Sequence, residues 1–242
     1  VGVRGVRSRV VCYGKRKMTK MMRELDDLKR EKEVKKASGP AKPLTWEGPL
    51  EIIKYPDPRL RAKNEPITDF GENLQKLAEE MFQVMYDDDG CGLAAPQVGV
   101  NYRLMVFNPE GSRGKGKEMV LANPEIVSSG SESDWFREGC LSFPEIRGDV
   151  ERPTKVKIKA QDVNGKDVEF QLDDFTARVF QHEYDHLQGM LFHDRMPDKE
   201  VAAIHDKLVK LEDDFVANNP SVADKIKRVG PKPEVKKPFG FF

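Results

Sequence analysis

The sequence predicts an α+β fold in which most strands pair in antiparallel fashion. The segment TKVKIKAQDVNGKDVEFQLDDF alternates apolar and polar residues on both sides of an Asn-Gly-Lys turn, which is typical of a β-hairpin. Helical patterns occur before and after the strands but do not alternate with them one by one. This order indicates α+β rather than an alternating parallel fold.

The elements are predicted in order from about residue 50. The first element is a short apolar segment, LEIIKYPDPRLR, which ends at two prolines. The next has the apolar spacing of an amphipathic helix, NLQKLAEEMFQVMYDD. RLMVFN and EMVLANPEIV predict strands, and the hairpin follows them. Residues 174–188 return to helical character. A last helix at about 198–217 has an apolar face of Val201, Ile204, Leu208 and Leu211.

Three regions are expected along the chain. Residues 1–49 form a basic extension, residues 50–217 a folded domain, and residues 218–242 a basic, Pro-rich and mobile tail. The first twenty residues contain no acidic residue, which favours either an organelle transit-peptide remnant or a solvated basic tail. Residues 15–36 within the extension have helical composition, which favours a lone solvated helix, with a partner-binding helix as the alternative.

Composition excludes some classes of function. Lys+Arg and Asp+Glu both number 41, so net charge gives no reason to expect a nucleic-acid or membrane partner. No apolar run approaches the ~20 residues that span a bilayer. The three cysteines, Cys12, Cys91 and Cys140, are widely spaced, which favours a reducing compartment over a disulfide framework.

Two histidines four residues apart in QHEYDHLQG indicate a metal site. On a helix, His182 and His186 lie one above the other and can share one ion. Glu183 lies about 100° further round the axis, from where it can reach a metal-bound water. This is the H-E-x-x-H pattern of metal-assisted hydrolysis. The alternative is a chance pair of surface histidines.

A catalytic metal site needs a third protein ligand. Phe192 occupies the place where a metzincin has its third histidine, and Glu200 and Glu212 remain open as downstream ligands. The best upstream candidate is Cys140 in EGCLSFP, a predicted loop thiol between strands. An isolated cysteine is otherwise a buried structural residue. The two remaining histidines are interpreted as surface or interface residues; they are His193 and His205.

The segment GCGLAAPQVG directly follows the first predicted helix of the domain. Its small residues allow another backbone or a ligand to approach closely. The neutral amide of Gln97 could donate a hydrogen bond to an oxyanion. Taken alone, the segment is also compatible with a Gly-rich turn that leads into a strand.

Together, GCGLAAPQ, EGCLS and QHEYDH resemble the three motifs of the peptide deformylase family, in the same order and without gaps. The resemblance covers about residues 50–215 and looks like the plastid branch. It implies antiparallel sheets packed around a central metal-binding HExxH helix, with a C-terminal helix. Cys91 departs from the pattern, because the family usually carries an aliphatic residue there. This change makes the pocket edge slightly smaller and oxidisable.

The resemblance also implies roles for individual residues. The metal ligands are Cys140, His182 and His186, with a water in the fourth position. Glu183 would take a proton from that water and later protonate the departing amine. The side chain of Gln97 and the backbone N–H of Leu141 would form the oxyanion hole. One divalent ion per chain is expected, with Fe²⁺ as the physiological metal and Zn²⁺, Ni²⁺ or Co²⁺ as substitutes.

The implied substrate is an N-formyl-methionyl nascent peptide, from which the enzyme releases formate. The implied pocket for the methionine side chain is formed by Cys91, Gly92, Phe136, Phe175 and Val179, and Arg147 borders the channel. The expected location is the chloroplast stroma, with the mitochondrion as the alternative. The alternatives in function are an HExxH metalloprotease and a non-catalytic, ribosome-associated metal protein.

The basic ends suggest a contact with an organellar ribosome, because basic segments bind exposed phosphate through counterion release. The C-terminal tail offers six cationic side chains for this contact: Lys225, Lys227, Arg228, Lys232, Lys236 and Lys237. The alternative is that both ends are solubilising tails.

Overall fold

The computed structural model describes residues 43–234, and in that range the chain forms two antiparallel sheets and three α-helices. The larger sheet has the strand order β1-β2-β3-β6-β7. Its strands are β1 (Gly92–Ala94), β2 (Leu104–Phe107), β3 (Met119–Ser129), β6 (Lys155–Gln161) and β7 (Asp167–Asp173). The antiparallel α+β prediction is therefore confirmed.

The predicted hairpin is formed by β6 and β7. Its register runs from Lys155 opposite Asp173 to Gln161 opposite Asp167. Gly165 of the Asn-Gly-Lys turn has φ of 80°, a left-handed conformation that glycine adopts at little cost. Burial alternates along β6 as the sequence pattern predicts, because every second side chain faces the core.

A two-stranded ribbon of β4 (Ser133–Cys140) and β5 (Phe143–Pro153) was not predicted from the sequence. The first five residues of β4 are exposed, so no alternation of apolar and polar residues marks this strand. Cys140 was predicted to lie in a loop, but it is the last residue of β4. Only two residues, Leu141 and Ser142, connect the two strands.

The three helices are close to the predicted positions: α1 (Glu72–Asp87), α2 (Asp174–Leu187) and α3 (Asp198–Asn218). Ten of the fourteen residues of α2 are buried, and several of these are polar or charged. The helix contacts β1, β2, β5, β6 and β7. None of the helices between residues 43 and 234 is long and apolar enough to cross a membrane.

Buried apolar side chains form three clusters, and each cluster contacts a residue that lines the same cleft. The first lies between α1 and β1–β2, the second between the larger sheet and α2, and the third between β5 and α3. Leu141 packs against the first cluster, Cys91 against the second and Cys140 against the third. Residues from distant parts of the sequence are thereby brought to one place.

Both ends of the domain differ from prediction. Leu44 is only 2% exposed and lies in the first cluster, so ordered packing begins before residue 50. The tail was expected to be mobile, but its described part contacts α3. The backbone N–H of Val229 donates to Glu212, and Lys232 pairs with Asp206 at 2.9 Å. The predictions for residues 1–42 and 235–242 lie outside the described residues.

Candidate active site

Three potential metal ligands converge at the end of β4. One ligand atom each from Cys140, His182 and His186 lie within 4.8 Å of one another. Sγ of Cys140 is 3.3 Å from Nε2 of His186. Two ligands bound at about 2.0–2.3 Å to one tetrahedral ion are ~3.3–3.7 Å apart, so this donor set fits such an ion.

The local structure explains this convergence. His182 and His186 are one helical turn apart on α2, with ring centroids 5.2 Å apart. Cys140 reaches them from β4, because Arg178 and His182 of the helix are both bonded to Glu138, two residues before Cys140 on that strand. Burial and the neighbouring His182 lower the pKa of His186 well below its usual value. The His186 ring is therefore neutral and can offer a lone pair.

Glu138 orients His182, and sequence reasoning gave it no role. Its Oε2 lies 3.0 Å from Nδ1 of His182, which leaves Nε2 of the ring for a metal. Burial alone would raise the pKa of Glu138, but hydrogen bonds from His182 and Arg152 outweigh burial and hold the pKa well below its usual range. The position of Glu138 two residues before Cys140 could have indicated this role, because residues two apart on a strand lie on the same face.

Buried charged residues surround the contact between Glu138 and His182. Arg152 donates to Oε1 of Glu138 at 2.7 Å and to Asp185 at 2.8 Å, and Arg178 donates to the same Glu138 oxygen at 2.7 Å. All four residues are about 5% exposed. The charges are paired, as buried ions must be, so the network fixes the geometry behind His182.

Glu183 faces the cleft from α2. It is 4% exposed, and its Oε2 has no hydrogen-bond partner among the described residues. Burial raises the pKa of Glu183 to about 7. A Cβ atom at Gly92 would lie 2.6 Å from its Oε1, so only glycine lets β1 approach the carboxylate this closely. A carboxylate with this pKa is suited to exchange protons near neutral pH.

Gln97 presents its amide N–H₂ to the same site. Its Oε1 accepts a hydrogen bond from the backbone N–H of Ala94 at 2.8 Å, which fixes the orientation of the amide. Nε2 then lies 3.5 Å from Sγ of Cys140 and 3.4 Å from Oγ of Ser142. The side chain is 1% exposed, so this donor is preorganised.

A cleft of about 540 Å³ opens over these groups. Phe136 and Phe175 form part of its wall with ring centroids 5.9 Å apart, and each is nearly half exposed. Eleven of the twelve residues singled out from the sequence line it: Cys91, Gly92, Gln97, Phe136, Cys140, Leu141, Arg147, Phe175, Val179, His182 and Glu183. The twelfth, His186, is 1% exposed and faces Cys140.

The thiol of Cys91 differs from a ligand thiol. Burial, followed by the neighbouring negative charge of Glu183, raises the pKa of this thiol to about 11. Since the thiolate is the reactive form, this shift makes Cys91 less reactive at neutral pH than an ordinary thiol. The oxidisable pocket edge stays a prediction.

The remaining candidates lie apart from the cluster. Among residues 43–234, no group of ligands other than Cys140, His182 and His186 is brought together. Glu212 is bonded to Tyr55, and Glu200 lies 3.8 Å from Arg137. His193 was interpreted as a surface or interface residue, but it is 6% exposed and its ring packs inside the domain against Tyr55 and Phe143.

Comparisons with known proteins all indicate one family. The family model described as polypeptide deformylase matches residues 49–202. A tomato (Solanum lycopersicum) protein named peptide deformylase 1B, chloroplastic, is 55% identical over 169 residues, which cover 70% of this chain and 61% of that protein. An Arabidopsis thaliana relative, named chloroplastic/mitochondrial, is 53% identical over 70% of this chain and 62% of its own length. The match thus spans about three fifths of these plant relatives.

Bacterial relatives and solved structures extend the comparison. The peptide deformylase of Thermotoga maritima is 44% identical over 66% of this chain and 94% of its own length. A crystal structure of a plant peptide deformylase 1B is 50% identical, with a TM-score of 0.72, over 74% of this chain and 97% of that one.

Proposed function

The chain belongs to the peptide deformylase family, and from this premise we propose that it removes the N-formyl group from the N-terminal methionine of newly made proteins and releases formate. The observation that carries the proposal is the convergence of Cys140, His182 and His186 beside the buried carboxylate of Glu183. The family is metal-dependent, and these residues form a potential metal site with its water-activating group.

The proposed ligands are one thiolate and two imidazoles. This set suits Fe²⁺, Zn²⁺, Co²⁺ or Ni²⁺, and the family resemblance points to Fe²⁺ as the physiological ion. When bound, the ion acts as a Lewis acid and lowers the pKa of water. His182 and His186 would contribute nitrogen donors, and Glu138 keeps the ring of His182 in the orientation that binding requires. Burial lowers the pKa of His182, but hydrogen bonds to Cys140 and Glu138 outweigh burial and raise it well above its usual value, so a metal ion has to displace a proton from this ring.

Glu183 is the proposed general base and acid. This buried carboxylate lies beside the three ligands, where it would take a proton from the attacking water and return it to the departing amine. The unpartnered Oε2 is available for this transfer. The formamide bond then breaks to give formate and a free N-terminal amine.

Gln97 and Leu141 are proposed to bind the oxygen of the formyl group as negative charge develops on it. Nε2 of Gln97 is held towards the site by the contact of Oε1 with Ala94. Leu141 directly follows Cys140, so its backbone N–H belongs to the peptide group that joins it to the residue with the proposed ligand sulfur. Donors of this kind stabilise the tetrahedral intermediate more than the substrate.

The formyl group is small, so most substrate affinity must come from the methionine side chain and the backbone that follows it. We propose that the thioether lies among the apolar cleft residues, with Arg147 at the border of the peptide channel. The wall consists of Cys91, Gly92, Phe136, Phe175 and Val179.

The names of the plant relatives support a plastid location, with the mitochondrion as the alternative. Docking of the basic ends on an organellar ribosome remains a proposal. Within the described part of the tail, Arg228 and Lys232 already pair with Asp213 and Asp206 on α3. A ribosome contact would therefore compete with these ion pairs.

The test is formate release from formyl-Met-Ala-Ser by protein loaded anaerobically with Fe²⁺ or Ni²⁺. Acetyl-Met-Ala-Ser is the control substrate and should not be cleaved. Cys140→Ser should lose both metal and activity, whereas Cys12→Ser, outside the matched region, should retain both. Absence of formate contradicts the proposal. Cleavage of the Met–Ala bond, with metal retained in Cys140→Ser, would instead indicate a protease.

A further inference from the structure

We propose that the segment of residues 53–55 holds the oxyanion-binding groups in place, and that Lys54 is a positioning residue for the reaction. This inference rests on the proposed function. Neither the H-E-x-x-H helix nor the ligand cysteine contains these residues, and sequence analysis gave them no role. Their contacts in the structure connect the two parts of the site that carry Gln97 and Leu141.

The backbone of the segment bridges two elements. The N–H of Ile53 donates to the carbonyl of Gln97 at 2.8 Å, and the N–H of Tyr55 donates to the carbonyl of Ser142 at 2.9 Å. Gln97 lies in the 3₁₀ turn after β1, and Ser142 lies between β4 and β5. One extended segment therefore sets the distance between the side-chain donor and the backbone donor of the proposed oxyanion hole.

The side chain of Lys54 completes the bridge. Its Nζ donates to the carbonyl of Leu141 at 2.9 Å, and its nearest ion-pair partner, Asp88, is farther away at 3.8 Å. Leu141 and Ser142 are the whole connection between β4 and β5, and both of their carbonyls are bound by residues 54 and 55. Movement of this connection would displace the N–H of Leu141 and the sulfur of Cys140 together.

Besides positioning the connection between β4 and β5, Lys54 contributes a positive charge to the cleft. The residue lines the cleft, where negative charge develops on the formyl oxygen during the reaction. An ammonium bound to the Leu141 carbonyl also polarises the peptide group next to the proposed donor. The side chain is 46% exposed, so salt screens its charge and the expected contribution is modest.

The experiment compares Lys54→Met, Lys54→Arg and a matched surface control, Lys63→Met. Lys63 is 82% exposed in its side chain and pairs only with the exposed Glu65 at 3.0 Å among the contacts described for it. With Ni²⁺-loaded protein, Lys54→Met should lower kcat about 10-fold and leave KM within about 2-fold, because small misplacements of catalytic groups act on the transition state. Lys54→Arg, which keeps charge and donors, should recover most of the loss.

Hydrogen exchange of a peptide covering residues 138–146 gives a second readout that does not need activity. Uptake of deuterium should rise in Lys54→Met and stay at the parent level in Lys63→Met. Unchanged kcat, a loss confined to KM, an equal loss in Lys63→Met or no rescue by arginine would overturn the inference. If the parent protein releases no formate, the proposed function fails, and hydrogen exchange alone decides: increased uptake supports positioning by Lys54, and unchanged uptake overturns it.

Discussion

Nδ1 of His182 lies 3.0 Å from Oε2 of Glu138, and both groups are buried. This contact links a proposed metal ligand on α2 to a carboxylate on β4. The carboxylate is also bound by two arginines, Arg152 and Arg178. The orientation of the His182 ring thus depends on charged residues that are not themselves metal ligands.

We predict that Glu138→Gln lowers metal affinity about 10–100-fold, the usual effect of losing the partner of a ligating histidine. The amide keeps an acceptor for His182 but removes the charge that balances Arg152 and Arg178. Competition with a chelator measures the affinity. Glu151→Gln is the matched control, because Glu151 is exposed on the neighbouring strand. Among residues 43–234, the hydrogen-bond partner of its carboxylate is the hydroxyl of Ser133. Equal affinities for both variants would contradict the prediction.

Glu183→Gln should separate metal binding from chemistry. Glu183 lies beside the three ligands and is not one of them, so we expect a full complement of metal per chain in the variant. Loss of the general base should lower kcat by ~10²–10⁴-fold. Metal analysis and formate release on the same sample test both halves. Near-parent turnover would assign proton transfer to another group, and loss of metal would make Glu183 a ligand.

The sequence identifies this site well because each motif is contiguous. The i,i+4 spacing places His182 and His186 on one face of a helix, and the structure agrees. The two-histidine site already made Cys140 the best upstream candidate for the third ligand. Spacing alone left downstream glutamates open, and the family resemblance decided between them. The contacts that sequence analysis missed are long-range: Glu138 and His182 are 44 residues apart, and Lys54 and Leu141 are 87 apart.

The sequence predicted four strands of the larger sheet, but it missed the ribbon of β4 and β5 for a different reason. Periodicity reports which side chains face the core, and it therefore found α1, β6 and β7. The ribbon of β4 and β5 has a largely exposed first strand and buries Glu138 and Arg152, so its apolar pattern is interrupted by charged residues. Pairs of buried charges look like surface residues in a sequence.

Acid should destabilise the protein partly through His193. Burial lowers the pKa of His193 from 6.5 to about 4, so between these values the unfolded chain binds a proton that the folded chain does not. The stability from this residue is therefore present above pH ~6.5 and lost as the pH falls towards 4, by up to about 3 kcal/mol. Urea unfolding of the parent and His193→Phe at pH 8 and pH 5 measures the difference.

The phenylalanine variant keeps a ring against Tyr55 and Phe143 but cannot titrate. Other groups, including the proposed metal ligands, titrate in both proteins, so the difference between the two pH dependences isolates His193. The parent should lose more stability on acidification than the variant. Parallel pH dependences would mean that His193 has the same pKa in the folded and unfolded chains.

A buried carboxylate fastens the tail to the domain. Glu212 on α3 is 1% exposed, accepts a hydrogen bond from the hydroxyl of Tyr55, and accepts one from the N–H of Val229 at 2.6 Å. Tyr55 stacks on Phe143 with ring centroids 4.7 Å apart. The C-terminal segment is thereby connected to the start of β5, close to the proposed metal site.

Glu212→Ala should lower the free energy of unfolding by about 2–3 kcal/mol, because it leaves the buried Tyr55 hydroxyl without an acceptor and removes the acceptor of the partly buried Val229 N–H. Asp213→Ala is the matched control: its side chain is 61% exposed and pairs with Arg228, so its loss should cost less than about 1 kcal/mol. Urea unfolding measures both. Adding Tyr55→Phe completes a double-mutant cycle, in which the two changes should be less costly together than the sum of each alone. Strict additivity would show that the Tyr55–Glu212 contact contributes nothing to stability.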